Sequence, residues 1–368
     1  MTRLAIIGTR GIPAHHGGFE TFAQELSTRL RSDEIEVVVY CERSEEQRTD
    51  YEGIKLRYSR YLKSQNPLLY YGDCIRKAVG NADVLLVAGT AGAFFYWIPM
   101  MRRTALITNV DGIESRRGKW GWVIRSAVKL TEFIAVVASD MIIADSKAIK
   151  KYLHATYHLI PEDRVSVIEY GAVPNRGPVD TSVLSKYGLT DREYYIVVAR
   201  LEPENNILEI AEGFRAAATN RILLIVGGLQ STSYVKRLMT VAAGPGNRII
   251  LVGAIYDRME LDALRYYCYA YIHGHSVGGT NPSLLEGLAA ANITICHDNE
   301  FNREVTEDMM YYFSSSSDLA MRIEELEQLP DEVQDEKKRY ASSRIASYYN
   351  WDRITDAYRL LIRNCVKN

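Results

Sequence analysis

A chain of 368 residues with 47% hydrophobic side chains can bury a sizeable core, and at this length one core usually divides, so two domains are expected. The formal net charge of −2 removes any global electrostatic case for nucleic-acid binding, although residues 1–180 hold 24 Lys and Arg against 21 Asp and Glu, leaving 20 against 25 in the remainder. Five scattered cysteines, Cys41, Cys74, Cys268, Cys296 and Cys365, with no Cys-x-x-Cys pair, argue against a disulfide framework and a zinc site and fit a reducing cytoplasm.

The chain opens on an apolar run, Leu4 to Gly8, that reads as a strand; no basic n-region precedes it, so no secretory signal is expected. The stretch GTRGIPAHHGGFET, residues 8–21, then leads into a helix with Phe19, Phe22, Ala23, Leu26 and Leu30 on one face and Glu20, Gln24 and Arg31 elsewhere. This loop looks like a phosphate cradle. It has Arg10 where the dinucleotide fingerprint needs glycine, and it lacks the Gly-Lys-Ser/Thr of a P-loop. Further strands are expected at Val37 to Cys41, Val84 to Ala88, Ala105 to Thr108, Met141 to Ala144 and Val165 to Glu169. Val84 to Met101 carries no charge and is nearly long enough for a membrane span, but its glycines, threonine and proline divide it into a buried strand, a turn and a short buried helix. Residues 115–133, with Arg116, Arg117, Lys119, Arg125 and Lys129 among Trp120, Trp122 and Phe133, suit an anionic membrane surface, or equally a solvated helix face with its Trp residues in the core.

The Gly- and Pro-rich stretch 169–180 reads as an interdomain linker. A second series of strands follows at Tyr194 to Ala199, Ile222 to Val226, Ile249 to Val252, Tyr271 to Ile272 and Thr294 to Cys296, with helical patterns between, one of them placing Ile207, Ile210, Ala211 and Phe214 on a stripe. Strands alternating with helices mean βαβ units and parallel sheets, hence an α/β fold. A final helix with Ile354, Tyr358, Leu361 and Ile362 on its apolar face has no strand to return to.

Two stretches of the second half carry chemistry. In VVARLEPENNI, Arg200 ends a strand, where open α/β sheets place ligands, and its guanidinium can clamp a diphosphate or pair with Glu202 or Glu204. In HGHSVGGTNPSLLEG, Asn281 and Pro282 start a helix, and Gly278 and Gly279 before it leave an open approach to an anion site. Glu286 lies just over one turn into that helix, placed to meet the rest of a ligand or simply to complement the helix dipole. His15, His16, His273 and His275 are substrate contacts or ordinary polar residues, and Asp111 in NVDGIE binds an acceptor or caps the next element.

The four motifs GTRGIPAHHGGFET, NVDGIE, ARLEPENN and GHSVGGTNPSLLEG, in that order and with a closing W-x-x-I helix, resemble the retaining glycosyltransferases of the GT-B type related to sucrose and glycogen synthases. More narrowly they resemble the branch with the rhamnosyltransferases of bacterial cell-wall and capsule assembly. The resemblance implies two doubly wound Rossmann-like domains facing a central cleft: residues 1–173 on the acceptor side, 174–347 binding the nucleotide sugar, and 348–368 a helix packing back on the first. It implies that Gly17 and Gly18 lie by the donor diphosphate and that Arg200 pairs with it. Asn205, Thr280, Asn281, Gly278 and Gly279 would line the donor site, Glu286 would hold the ribose, and Asp111 and His275 would join Arg200 in catalysis. Where the broader family has Lys and a first Glu, this chain has Asn205 and Gly278, which suits a deoxysugar with fewer hydroxyls to bind. The activity implied is transfer of L-rhamnose from dTDP-rhamnose, with retention, to a lipid-linked sugar, with no metal or cofactor, since no Asp-x-Asp is present. A sugar-nucleotide 2-epimerase of the same architecture and a degenerate sugar-nucleotide-binding protein are the alternatives. The protein would work in the cytoplasm, peripherally on the inner membrane face.

Overall fold

The computed structural model describes residues 1–14, 17–110, 112, 122–175, 177, 180–244, 246 and 248–367. The chain divides into two compact units, one of Met1–Tyr170 with Trp351–Asn368, the other of Gly171–Asn350.

In the first unit the strands are β1 (Thr2–Ile7), β2 (Ile35–Cys41), β3 (Asp50–Tyr51), β4 (Ile54–Tyr58), β5 (Val84–Ala88), β6 (Ala105–Val110), β7 (Met141–Ala144) and β8 (Val165–Val167). They form one sheet in the order β3-β4-β2-β1-β5-β6-β7-β8, parallel except for the β3–β4 hairpin. Its helices are α1 (Gly18–Leu30), α2 (Pro67–Ala78), α3 (Trp97–Arg102), α4 (Trp122–Ala138) and α5 (Lys147–Thr156). Central strands such as β5, Val-Leu-Leu-Val-Ala, are buried at every residue because helices cover both faces of a parallel sheet.

The second unit has six strands, β9 (Tyr194–Val198), β10 (Ile222–Val226), β11 (Ile249–Leu251), β12 (Ala270–His273), β13 (Thr294–His297) and β14 (Tyr311–Phe313), all parallel in the order β11-β10-β9-β12-β13-β14. Around them run α6 (Ser182–Lys186), α7 (Ile207–Ala216), α8 (Ser233–Ala242), α9 (Arg258–Tyr266), α10 (Pro282–Ala289), α11 (Glu300–Thr306), α12 (Ser316–Glu327) and α13 (Asp331–Ser347). The chain then supplies a last helix, α14 (Trp351–Lys367), to the first unit. Phe22 of α1 meets Tyr358 at 5.6 Å, Tyr170 at 5.4 Å and Trp351 at 6.5 Å between ring centroids, and Asn109 Nδ2 donates to the Tyr358 hydroxyl at 3.2 Å. The expected stripe Ile354, Tyr358, Leu361 and Ile362 is the buried face of this helix.

Two expectations about burial are corrected. Glu20, assigned away from the core face of α1, is buried, because its carboxylate turns back to accept the Arg10 backbone N–H at 2.8 Å. The helix after β5 is not a buried one. Ala93, Tyr96 and Pro99, three residues apart, face the core, while Phe94, Trp97, Met100 and Met101 are exposed. Three strands escaped the sequence reading: β3 and β14 have two and three residues, and β4, next to the edge between β3 and β2, alternates Ile54 and Leu56 with Lys55 and Arg57, which was a usable signal.

Candidate functional site

Each sheet has one place where the strand order reverses. From β1 the first unit builds outward through β2 and β4 and then returns to the other flank of β1 with β5; the second builds from β9 through β10 to β11 and returns beside β9 with β12. Open parallel sheets bind ligands outside the carboxyl ends of the strands at such a reversal. The glycine loop follows β1, and the stretches bearing Arg200 and Gly278 follow β9 and β12, so the sequence motifs fall at the two reversals.

In the first unit the loop is shaped by close approach. Gly8 has φ +103°, and a Cβ there would stand 2.3 Å from the Ala88 carbonyl oxygen, so only glycine lets the ends of β1 and β5 meet. Side chains of α1 brace the loop: Glu20 takes the Arg10 N–H, and Gln24 Oε1 takes that of Ala14 at 2.8 Å. Lys63, which nothing in the sequence marked, donates its ammonium to the Gly8 carbonyl and lies 5.3 Å from the Phe19 ring centre. Gly17 and Gly18 are exposed at the start of α1. Asp111, His15 and His16 lie outside the described residues.

In the second unit the loops after β9 and β12 are stitched together. Asn205, buried, donates its amide to the Arg200 carbonyl at 2.7 Å; Asn206 donates to the Gly274 carbonyl at 2.8 Å; Ser276 donates N–H and hydroxyl to the Glu204 carbonyl at 3.0 and 2.9 Å. Gly274 is required here, because a Cβ would come within 2.1 Å of the Asn205 oxygen. The Arg200 guanidinium is largely exposed and sits 3.4 Å from Glu202. Asn281 caps α10, its Oδ1 accepting from the Ser283 N–H at 3.1 Å, and just before it Gly278, with φ +139°, leaves open space where a side chain would stand. Gly279 and Thr280 between them are buried. A capped helix start approached over glycine, with a cation on the neighbouring strand end of the same sheet, suits an anionic ligand.

Glu286, on the first turns of α10, does not stand alone. Arg265 of α9, with only 3% of its side chain exposed, donates Nη2 to Glu286 Oε2, leaving a carboxylate that is 37% exposed and fixed in direction. Sequence reasoning missed Arg265, because only the fold brings α9 against α10.

His275 holds its ring against that of His273, centroids 4.4 Å apart and 9° from parallel, and its carbonyl accepts from Asn299 and Asn302, each at 3.0 Å. His273 is fully buried, and neither of its ring nitrogens has a hydrogen-bond partner among the described residues. Burial, followed by the neighbouring His275 and His297, holds the His273 imidazole well below its usual range. The unfolded chain takes up this proton below about pH 6.5 and the folded chain does not, so stability is expected to fall as the pH drops below 6.5, by up to about 1.4 kcal/mol per pH unit. Urea midpoints between pH 7 and 5 measure the slope. His273→Leu should flatten it, and an unaltered slope in that variant would contradict the assignment.

Among the described residues no three His, Cys, Asp or Glu side chains converge to hold a metal ion.

Residues 16–176 match Glycosyltransferase Family 4, and residues 183–359 match Glycosyl transferases group 1. Among solved structures the chain is similar to a sucrose-phosphate synthase from Thermosynechococcus elongatus, at 14% identity and TM-score 0.82 over 99% of both chains. It is also similar to Anabaena HepE in complex with UDP-glucose (14%, TM-score 0.78, 99% of this chain and 100% of that one) and to a glycosyltransferase from Rickettsia africae (16%, TM-score 0.77, 100% and 99%). No curated protein matches the sequence. With its two Rossmann-like units of parallel sheet, the chain is a glycosyltransferase of the GT-B fold, family 4 in its first unit and group 1 in its second.

Proposed function

We propose that the protein transfers L-rhamnose from dTDP-rhamnose, with retention of anomeric configuration, to a sugar on a polyprenyl-diphosphate lipid. The observation that carries a nucleotide-sugar reading is the β9–β12 reversal, where Arg200, the capped start of α10 and the Arg265-held Glu286 belong to one sheet edge. A similar structure, that of HepE, was solved with UDP-glucose. In this reading Arg200 and the α10 amides stabilise charge that builds on the leaving diphosphate, Gly17 and Gly18 lie by the same phosphates, and Glu286 accepts from a ribose hydroxyl. The leaving phosphate helps deprotonate the acceptor hydroxyl as it attacks from the same face, so no carboxylate nucleophile is required. Asp111 and His275 are assigned to the acceptor and sugar side.

The deoxysugar is argued from two neutral positions. Asn205 spends its amide on the Arg200 carbonyl, and Gly278 offers no side chain, so neither presents the charged contact the broader family uses there. A lipid-borne acceptor brings the enzyme to a membrane, for which the sequence offers the basic, Trp-bearing stretch 115–133.

A thermal-shift screen of sugar nucleotides tests the donor: dTDP-rhamnose should raise Tm most. Donor turnover with and without lipid acceptor then separates the readings. Acceptor-dependent turnover supports transfer, acceptor-free formation of a new sugar nucleotide would mean an epimerase, and binding without turnover a binding protein. Within this reading, Glu286→Gln is expected to raise the donor KM several-fold with kcat nearly kept, because a ribose hydrogen bond is made equally in ground and transition states. A collapsed kcat at unchanged KM would contradict that role.

A further inference from the structure

The first unit carries an apolar face that its own core does not use. On the side of the sheet covered by α2, α3 and α4, one core cluster takes in Ala93, Tyr96, Leu106 and Ala135. The rest of the α3 region points outward: Phe94, Trp97, Met100 and Met101 are all exposed, Trp97 by 57% and Met101 by 74%. In α4 only Glu132, Ala135 and Val136 are buried, all in its second half. Trp122, Val123, Ile124, Leu130 and Phe133 are exposed, Trp122 by 81%. Because α4 packs on the turn Ala93–Phe95 and Thr108 bonds both the Tyr96 and the Ser139 hydroxyls, the two apolar sets belong to one side of one sheet. Single exposed hydrophobics are ordinary, whereas a grouping of this size is characteristic of a surface that meets something.

Charge identifies the partner. Over residues 84–110 and 122–131 the sequence holds Arg102, Arg103, Arg125 and Lys129 and not one Asp or Glu, and all four cations are exposed. The carboxylate that follows the second stretch, Glu132, is turned inward, where its Oε1 accepts from the Tyr152 and Tyr157 hydroxyls at 2.8 and 2.7 Å. A second copy of the chain, docking this face on itself about a two-fold axis, would bring these cations together with no carboxylate from either described stretch to meet them. An anionic lipid surface satisfies both properties at once: headgroups receive the arginines and lysine, while Trp, Met and Phe side chains enter the boundary between headgroups and chains.

We propose that α3 and the first half of α4 together form a docking face for an anionic bilayer, lying in its interface without crossing it. Among the described residues no helix is long and apolar enough to span a membrane. The purpose of docking rests on the lipid-borne acceptor proposed above; the face itself does not.

The full chain is tested for co-sedimentation with vesicles of phosphatidylcholine containing phosphatidylglycerol, against phosphatidylcholine alone, at low and high salt. The wild type should bind the anionic vesicles, less so in high salt. Arg102→Glu with Arg125→Glu should weaken binding about thirtyfold or more, since two cations contribute about 1 kcal/mol each. Trp97→Ser with Met101→Ser should weaken it at both salt concentrations. All four side chains are exposed, so the variants should keep the wild-type Tm. Absence of binding, binding indifferent to both pairs of substitutions, or self-association abolished by them would each overturn the proposal, the last in favour of a second copy. Transfer to a short water-soluble acceptor is measured on the same proteins. Should it fail in the wild type, the transferase reading falls while the vesicle result stands; kept in the variants, it assigns their defect to docking.

Discussion

Arg200→Ala is expected to lower turnover about a hundredfold or more while leaving the fold intact. The second half of that statement follows from the structure directly. The side chain is 60% exposed and its ion pair is a 3.4 Å contact with Glu202, which is 28% exposed, and a pair whose arginine is open to solvent contributes about 1 kcal/mol. The loop that carries Arg200 is held by backbone and by Asn205, Asn206 and Ser276, none of which needs the guanidinium. The first half follows from the proposed chemistry: a departing diphosphate gains charge in the transition state, and one preorganised donor at a developing anion is worth about 10²–10³ in kcat. Arg200→Lys should recover part of the loss, since it restores charge without the two-pronged geometry. The check is kcat at saturating donor, beside Tm. A near-normal kcat would return Arg200 to the role of a surface ion-pair partner, the reading that its contact with Glu202 supports.

Why the strand-end position of Arg200 could be read from sequence, and the hold on Glu286 could not, is a matter of range. Strands such as Val84–Ala88 and Ile222–Val226 announce themselves because a parallel sheet covered on both faces demands unbroken apolar runs, and Asn281-Pro282 announces α10 because capping is local chemistry. Glycine also gives warning, although not of its reason: Gly8 and Gly274 are fixed by carbonyl oxygens of Ala88 and Asn205, far off in sequence. Arg265 beneath Glu286 and Lys63 on the Gly8 carbonyl are long-range pairings with no periodicity or spacing to betray them. The helix after β5 was misjudged for a different reason. An uncharged run suggests burial, yet its three core positions, Ala93, Tyr96 and Pro99, suffice to seat it, and what the remaining apolar residues meet is not specified by the chain's own core. Departure from a local rule in this way is where function is to be sought.

A chain ending at Asn350 is expected to lose the first unit and keep the second. The first sheet and its helices are complete by Tyr170, but one flank of their core is filled by α14, which the chain delivers only after the whole second unit. Trp351, Ile354, Tyr358, Leu361 and Ile362 are all at least nine-tenths buried. At roughly 1.5–3 kcal/mol for each large apolar side chain, their burial amounts to about 8–15 kcal/mol as an upper figure, comparable with the whole stability of a typical domain. The truncation would also uncover Phe22 and Tyr170, strip the Tyr358 hydroxyl from buried Asn109, and leave the nearly buried Glu169 without the Arg353 guanidinium at 3.2 Å. The second unit loses nothing comparable, since its sheet and helices lie within Gly171–Asn350 and its ends are tied by the Ala172 N–H to the Tyr349 carbonyl at 2.8 Å. Hydrogen exchange on the truncated chain should therefore show β1, β5 and β6 unprotected with β9, β10 and β12 still protected, and a synthetic peptide of residues 351–368 added in excess should restore protection to the first set. Protection of β1 and β5 in the truncated chain without the peptide would mean that α14 rests on a core already sufficient without it.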